Sequence, residues 1–183
     1  GESYLSFSYN YTDESKKFEG YFILSGCTSA AYGEINIPST HTELVRIDGV
    51  EKIVTRPVTS ISQGAFRDVE GITKVTVPAS VTSVGNSAFE NCYQLGEIVF
   101  EGSDCTIGIA AFRYCSSLKK ITLPSNLKTI PLEGFAACTA LEEIEIPSTV
   151  TSIGKEAFKK CSALKSVSIP ASVTSIGLNA FLN

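Results

Sequence analysis

Histidine is almost missing from this chain: His41 is the only one in 183 residues, so any Ser/His/Asp or Cys/His site would have to be assembled around that single imidazole. No serine or cysteine motif stands beside it, and His41 reads as a solvated loop residue. An excess of basic residues is missing too. Fifteen Lys and Arg stand against nineteen Asp and Glu, a formal net charge of −4, which leaves no surplus of cations for a phosphate backbone and argues against nucleic acid as a partner. No run approaches the roughly 18 apolar residues of a membrane-spanning helix, so no membrane insertion is expected. Methionine is absent, and the chain opens at Gly1 without a visible signal peptide, as a processed or engineered start would. The six cysteines follow no zinc or iron spacing such as CxxC, so neither metal nor cofactor is expected, and no catalytic residue is assigned.

What the chain does have is a core to build, at 43% hydrophobic and 19% charged residues, and a period. Ala65-Phe66, Ala88-Phe89, Ala111-Phe112, Gly134-Phe135, Ala157-Phe158 and Ala180-Phe181 are each 23 residues apart. Self-similarity at such a step indicates one supersecondary unit stacked on copies of itself. In the copy Leu141–Ala163 the positions Leu141, Ile144 and Ile146 describe a short strand, and equivalent copies start at Ile72, Leu95, Leu118 and Leu164. Pro78, Pro124, Pro147 and Pro170 end it, since proline cannot donate to a ladder. A second short extended piece follows, with Val150 and Ile153 inward. Gly85, Gly108, Gly154 and Gly177 then allow a turn where a side chain would be strained. The AFxxC stretch spaces its inward residues at i, i+1 and i+4, which predicts a single helical turn. One coil cannot offset the ordering of its own backbone, so stability must come from stacked ladders of Phe, of Ile and of Cys92, Cys115, Cys138 and Cys161. The ladder cysteines are expected to be buried free thiols; Cys27 and Cys105 have no assigned partner.

The motif LEEIEIPSTVTSIGKEAFKKC closely resembles the BspA-like leucine-rich repeat family, over about Pro57 to Phe181. The departures are Glu101 for proline, Asp104 for valine with Cys105 turned inward, and Pro131 at a glycine position. The resemblance implies a right-handed leucine-rich-repeat solenoid of short parallel strands and helical turns. It also implies an extracellular, cell-surface location, with host matrix proteins or partner-cell macromolecules as ligands.

Residues 1–56 lie outside the regular repeat and are expected to form a β-rich cap with an inserted hairpin, leaving 57–183 as a solenoid of about five and a half repeats. Leu5, Phe7, Tyr9 and Tyr11 alternate with polar neighbours, and Phe18 to Leu24 can pair with them as a hairpin that covers the first coil. Asp48-Gly49, between Leu44–Ile47 and Val50–Ile53, is a favoured two-residue hairpin turn, and that hairpin is expected to project from the first coil. At the other end the last coil is expected to be uncapped. Its strand edge near Leu164 to Ile169 would promote weak end-to-end self-association.

On the surface, Glu142, Glu143 and Glu145 could suggest acid–base chemistry, but register supplies another reading. The columns Lys74, Glu97, Lys120, Glu143 and Lys119, Glu142, Lys165 alternate in sign, which predicts a self-neutralising sheet face. Ile109 and Leu132 occupy a position held by Gln63, Asn86 and Lys155 in other coils, beside Tyr114 and Ala136. These four residues form a candidate interaction patch on the turn side; Tyr93 is similar but isolated. The functional expectation is a non-enzymatic protein-interaction or adhesion module that binds through an extended face. The alternatives are a structural spacer for another domain and, with less support because free aromatic platforms are lacking, a glycan-binding accessory module.

Overall fold

Inward positions that recur every 23 residues are all buried at once only if the coils stack, and the computed structural model, which describes residues 4–183, has that architecture. Phe66, Phe89, Phe112, Phe135, Phe158 and Phe181 form one continuous stack with near-parallel rings, the centroids 4.7 Å apart at the first pair and up to 5.4 Å along the rest. All but Phe181 are buried. Each such ring contributes about 1.5–3 kcal/mol of burial and each ring pair about 0.5–1.5 kcal/mol more.

The chain begins with the antiparallel pair β1 (Leu5–Asn10) and β2 (Tyr21–Cys27), joined across a short 3-10 turn at Glu14–Lys16. β2 lies parallel to β5 (Val50–Ile61), and the sheet continues, one strand per coil, through β7 (Ser83–Val84) and β9 (Thr106–Ile107). A second parallel sheet orders β3 (Tyr32–Asn36), β6 (Gly71–Val77), β8 (Glu97–Phe100) and β10 (Lys120–Thr122) side by side. A third, β11 (Thr129–Ile130), β12 (Ser152–Ile153) and β13 (Ser175–Ile176), resumes the path of the first.

The interruption between β9 and β11 falls at Pro131. In the other coils the equivalent glycine N–H donates to the preceding coil, as Gly108 does to Val84 at 2.9 Å and Gly154 to Ile130 at 2.8 Å. Pro131 has no N–H to give. The glycines also serve a different purpose from the one expected. Gly85, Gly108, Gly154 and Gly177 do not have left-handed φ values. They are needed because the coils approach closely: a Cβ on Gly154 would lie 2.5 Å from the Leu132 nitrogen.

The AFxxC segments are turns and not helical turns, and the reason is competition for N–H groups. In a helix the Phe89 N–H would bond within its own coil; instead Ser87, Phe89 and Asn91 donate to Ile109, Ala111 and Arg113 of the next coil at 2.8, 2.8 and 3.0 Å. The same triplet recurs at each coil, up to Glu156, Phe158 and Lys160 donating to Leu178, Ala180 and Leu182. Alternate N–H groups can point along the stack because residues such as Ser87 (φ 53°) and Asn91 (φ 63°) adopt the left-handed conformation.

Two of the five expected strands are missing. Residues 141–147 and 164–170 form no strand, although Leu141, Ile144 and Ile146 remain buried. The inward packing at Leu141, Ile144 and Ile146 persists without strand pairing, while β12 and β13 of the same coils stay paired. The outermost strand is therefore β13, and the unpaired edge expected at Leu164–Ile169 does not exist as a strand.

The hairpin formed by β4 (Thr40–Ile47) and β5, with Asp48 (φ 51°) and Gly49 (φ 80°) at its turn, does not project. It lies on the N-terminal strands. The Arg56 guanidinium donates to the Phe18 carbonyl, Lys17 pairs with Asp48, and the His41 ring stacks on Phe7 at 4.0 Å and meets Phe22 edge-on at 4.8 Å. His41 is thus a strand residue packed between two aromatic rings and not a solvated loop residue. β5 also runs across the boundary drawn between residues 56 and 57, so both segments share it.

Candidate functional site

With the Phe and Cys side chains turned inward, the residues around them on the turn side face outward in columns one coil apart. Directly after each Phe stand Arg67, Glu90, Arg113, Ala136 and Lys159. Glu90 is only 2% exposed, the one buried charged residue among the described residues. A carboxylate so placed costs several kcal/mol unless it is paired, and here it lies between two guanidinium groups. Arg113 Nε donates to its Oε1 at 2.8 Å, and Arg67 Nη2 lies 3.0 Å from its Oε2. Arg113 continues the chain of charges to Glu133, and its hydrogen bond to Glu90 holds its pKa further up. In the next coils Lys159 donates to Glu156 at 2.9 Å and holds that carboxyl below the usual range.

Beneath this column the ladder thiols have a polar role that burial alone does not explain. The Sγ–H of Cys92, Cys115, Cys138 and Cys161 donates to the carbonyl of Phe66, Phe89, Phe112 and Phe135 in the preceding coil, at 3.0 Å for the first and 3.1 Å for the others. Burial pushes Cys92 and Cys161 up to about 12 and Cys115 and Cys138 well above their ordinary value. Cys105 faces inward and is pushed to about 12; half-buried Cys27 is pushed to about 11. All six are free. Thiols held protonated in this way are poor nucleophiles and poor metal ligands. Among the described residues no group of three His, Cys, Asp or Glu is placed to hold a metal ion.

Of the four patch residues, Ile109, Leu132 and Tyr114 are exposed and Ala136 is buried. Ile109 and Leu132 are exposed neighbours on adjacent coils. Tyr114, exposed and under the Arg113 guanidinium at 5.6 Å, lines a separate notch with Ala136. Ala136 itself is buried, because its methyl group forms the floor between longer side chains. The notch holds about 160 Å³, and neither Ile109 nor Leu132 reaches it.

On the strand side only one expected cross-coil pair closes, Lys74 to Glu97 at 3.2 Å. Glu142, Glu143, Glu145, Lys119, Lys120 and Lys165 form no ion pair among the described residues, so that face is not self-neutralised beyond β8. The loss of strand pairing at residues 141–147 removes the register on which the alternation depended. The turn-side charge chain was the feature missed. Its signal was available: the same 23-step reading applied directly after each Phe gives Arg67, Glu90, Arg113 and Lys159, with Ala136 as a gap.

The profile of the BspA type leucine rich repeat region matches residues 52–183 in six copies. Among solved structures the chain is similar to a leucine-rich cell surface protein from Faecalibacterium prausnitzii, at 25% identity and TM-score 0.74 over 99% of this chain and 51% of that one. It is similar to a leucine-rich repeat protein from Bacteroides ovatus at 32% identity and TM-score 0.71, over 97% of this chain and 47% of that one. For the leucine-rich repeat protein of T. pallidum the values are 26% and 0.71, covering 93% and 78%. The chain thus spans about half the length of the first two. No curated protein sequence matches it.

Proposed function

The chain belongs to the BspA-type leucine-rich repeat family, and from that premise we propose that it is a cell-surface interaction module that binds a host-matrix or partner-cell protein through the turn side of its central coils. The observation that carries this reading is a local change in surface chemistry. Column positions filled elsewhere by Gln63, Asn86 and Lys155 carry exposed Ile109 and Leu132 on two adjacent coils, and the notch at Ala136 is lined from those two coils and the next. Exposed apolar side chains rimmed by polar ones mark contact surfaces, and solenoids offer broad faces that suit macromolecules better than small molecules. The rigid Phe stack beneath supplies a preorganised platform.

The test is binding of the purified protein to a panel of purified matrix proteins and partner-cell envelope fractions, with Ile109→Glu/Leu132→Glu beside it. The double variant keeps its melting midpoint and loses at least about tenfold in affinity, a loss of about 1.4 kcal/mol. Unchanged binding by a folded double variant overturns the assignment of the face. The second reading, a spacer, is favoured by the unbroken stack from Phe66 to Phe181. It gains if no member of the panel binds.

A further inference from the structure

We infer that the notch at Ala136 is a subsite for a carboxylate, taking an Asp or Glu side chain from the protein partner. This rests on the interaction reading above and specifies its chemistry. The template for the subsite lies two coils away. Along the column directly after each Phe, charge alternates from Arg67 to Glu90 to Arg113, and the carboxylate between the two guanidinium groups is almost completely buried and contacts both. One coil beyond Arg113 the alternation calls for another carboxylate, with Lys159 waiting on its far side. The chain supplies a methyl group there instead.

The space left by that missing side chain is the notch, with Arg113 on one side and Lys159 on the other, Ala136 and Ala137 as its floor, and Tyr114 at its edge. Its volume of about 160 Å³ is below the roughly 300–1,000 Å³ of sites for drug-sized ligands, which suits one inserted side chain. Charge also favours an anion. Glu133 and Glu156 line the notch too, but they are engaged by Arg113 and Lys159, whereas Lys160 lines it and forms no ion pair among the described residues. Three cations against two carboxylates leave a local surplus of one positive charge, in a chain whose net charge is −4. Arg113 already donates to Glu90 through Nε and Nη2 and to Glu133 through Nη1, so an incoming carboxylate meets it as a third, longer-range partner. It also gives Lys160 the partner it lacks. Hydrogen bonds of this charge-assisted kind orient a partner as well as attract it.

The test is a titration of the isotopically labelled protein, followed through its amide resonances, with three probes: a short acetylated, amidated peptide carrying one Glu flanked by glycines, the same peptide with Gln, and inorganic phosphate. The Glu peptide shifts the resonances of Ala136, Ala137 and Lys160 and binds at least about tenfold more tightly than the Gln peptide. Lys160→Gln, an exposed change, weakens the Glu peptide several-fold. Ala136→Glu fills the notch from within; it removes the response and leaves the melting midpoint equal or higher, whereas Ala136→Lys lowers it. Equal shifts with Glu and Gln peptides, or undiminished binding by Lys160→Gln, overturn the subsite. Tighter binding of phosphate than of the Glu peptide at the same resonances overturns the choice of carboxylate. These outcomes are separate from the Ile109/Leu132 result, so the subsite can fail while the wider interaction face stands, and the reverse.

Discussion

On the turn side a backbone ladder runs unbroken from Gly64 to Lys160, each coil donating to the next, whereas on the strand side the ladder of β3, β6, β8 and β10 ends at Thr122. Both sides share the same core, since Leu141, Ile144 and Ile146 stay buried where the strand pairing has lapsed. The difference shows that burial and backbone pairing are separable in this solenoid. The turn side is continuous because left-handed residues at fixed positions aim alternate N–H groups along the stack. Each such non-glycine conformation costs about 1–2 kcal/mol, and the inter-coil hydrogen bonds at about 0.5–1.5 kcal/mol each offset it only when several act together. The strand side has no such device, and its side chains alternate in charge without closing their pairs past Glu97.

Removing the core that both sides stand on has the largest expected effect. Phe135→Ala, between Phe112 and Phe158, is expected to cost about 3–5 kcal/mol as a cavity variant, read as a shifted urea midpoint. Phe181→Ala, stacked on one side only, costs much less. Equal shifts would mean that the rings do not act as a stack.

A smaller effect comes from the thiols that brace the turn side. Their folded pKa values lie above the ordinary 9.0, with Cys92 and Cys161 near 12. The unfolded chain therefore releases protons that the folded chain retains, so this contribution is complete below pH 9 and is lost as pH rises towards 12. The slope is at most about 1.4 kcal/mol per pH unit for each thiol, and Cys138→Ala should flatten it by one thiol's share. Melting curves at rising pH check this; a profile that stays flat above pH 9 would show that the thiols are not held protonated.

The smallest expected effect concerns the left-handed residues of the turn side. Ala137 holds φ at 60°. Ala137→Gly should relieve that strain and raise stability by about 1 kcal/mol, while the same change at Ala163, a turn residue whose φ is not positive, should not. A loss at Ala137 would mean that the left-handed geometry is not a cost the stack has to overcome.

Much of the fold was legible because a solenoid is periodic. Counting in steps of 23 placed Phe66 through Phe158, Ile61 through Ile153 and the four ladder cysteines in the core and turned Cys105 inward where Asp104 broke the pattern, but it also put Phe181 and Ile176 inward, of which Phe181 is half-buried and Ile176 exposed. The candidate site was legible in part. Ile109, Leu132 and Tyr114 stand out as breaks in polar columns, but only the structure shows Ala136 buried in a notch, because that depends on which long side chains from neighbouring coils surround a short one.

By itself, then, the sequence determined which side chains face inward and how often, since inward placement follows from apolar spacing along one chain and needs no knowledge of a neighbour's position. Only the tertiary structure decided which carbonyl each N–H meets, why glycine stands at Gly154, and that His41 lies between Phe7 and Phe22. It also decided that Glu90 is buried between two arginines. Each of these depends on atoms far away in the chain brought within a few ångströms. At that range close approach, lost solvation and competition between hydrogen-bond partners outweigh local preference.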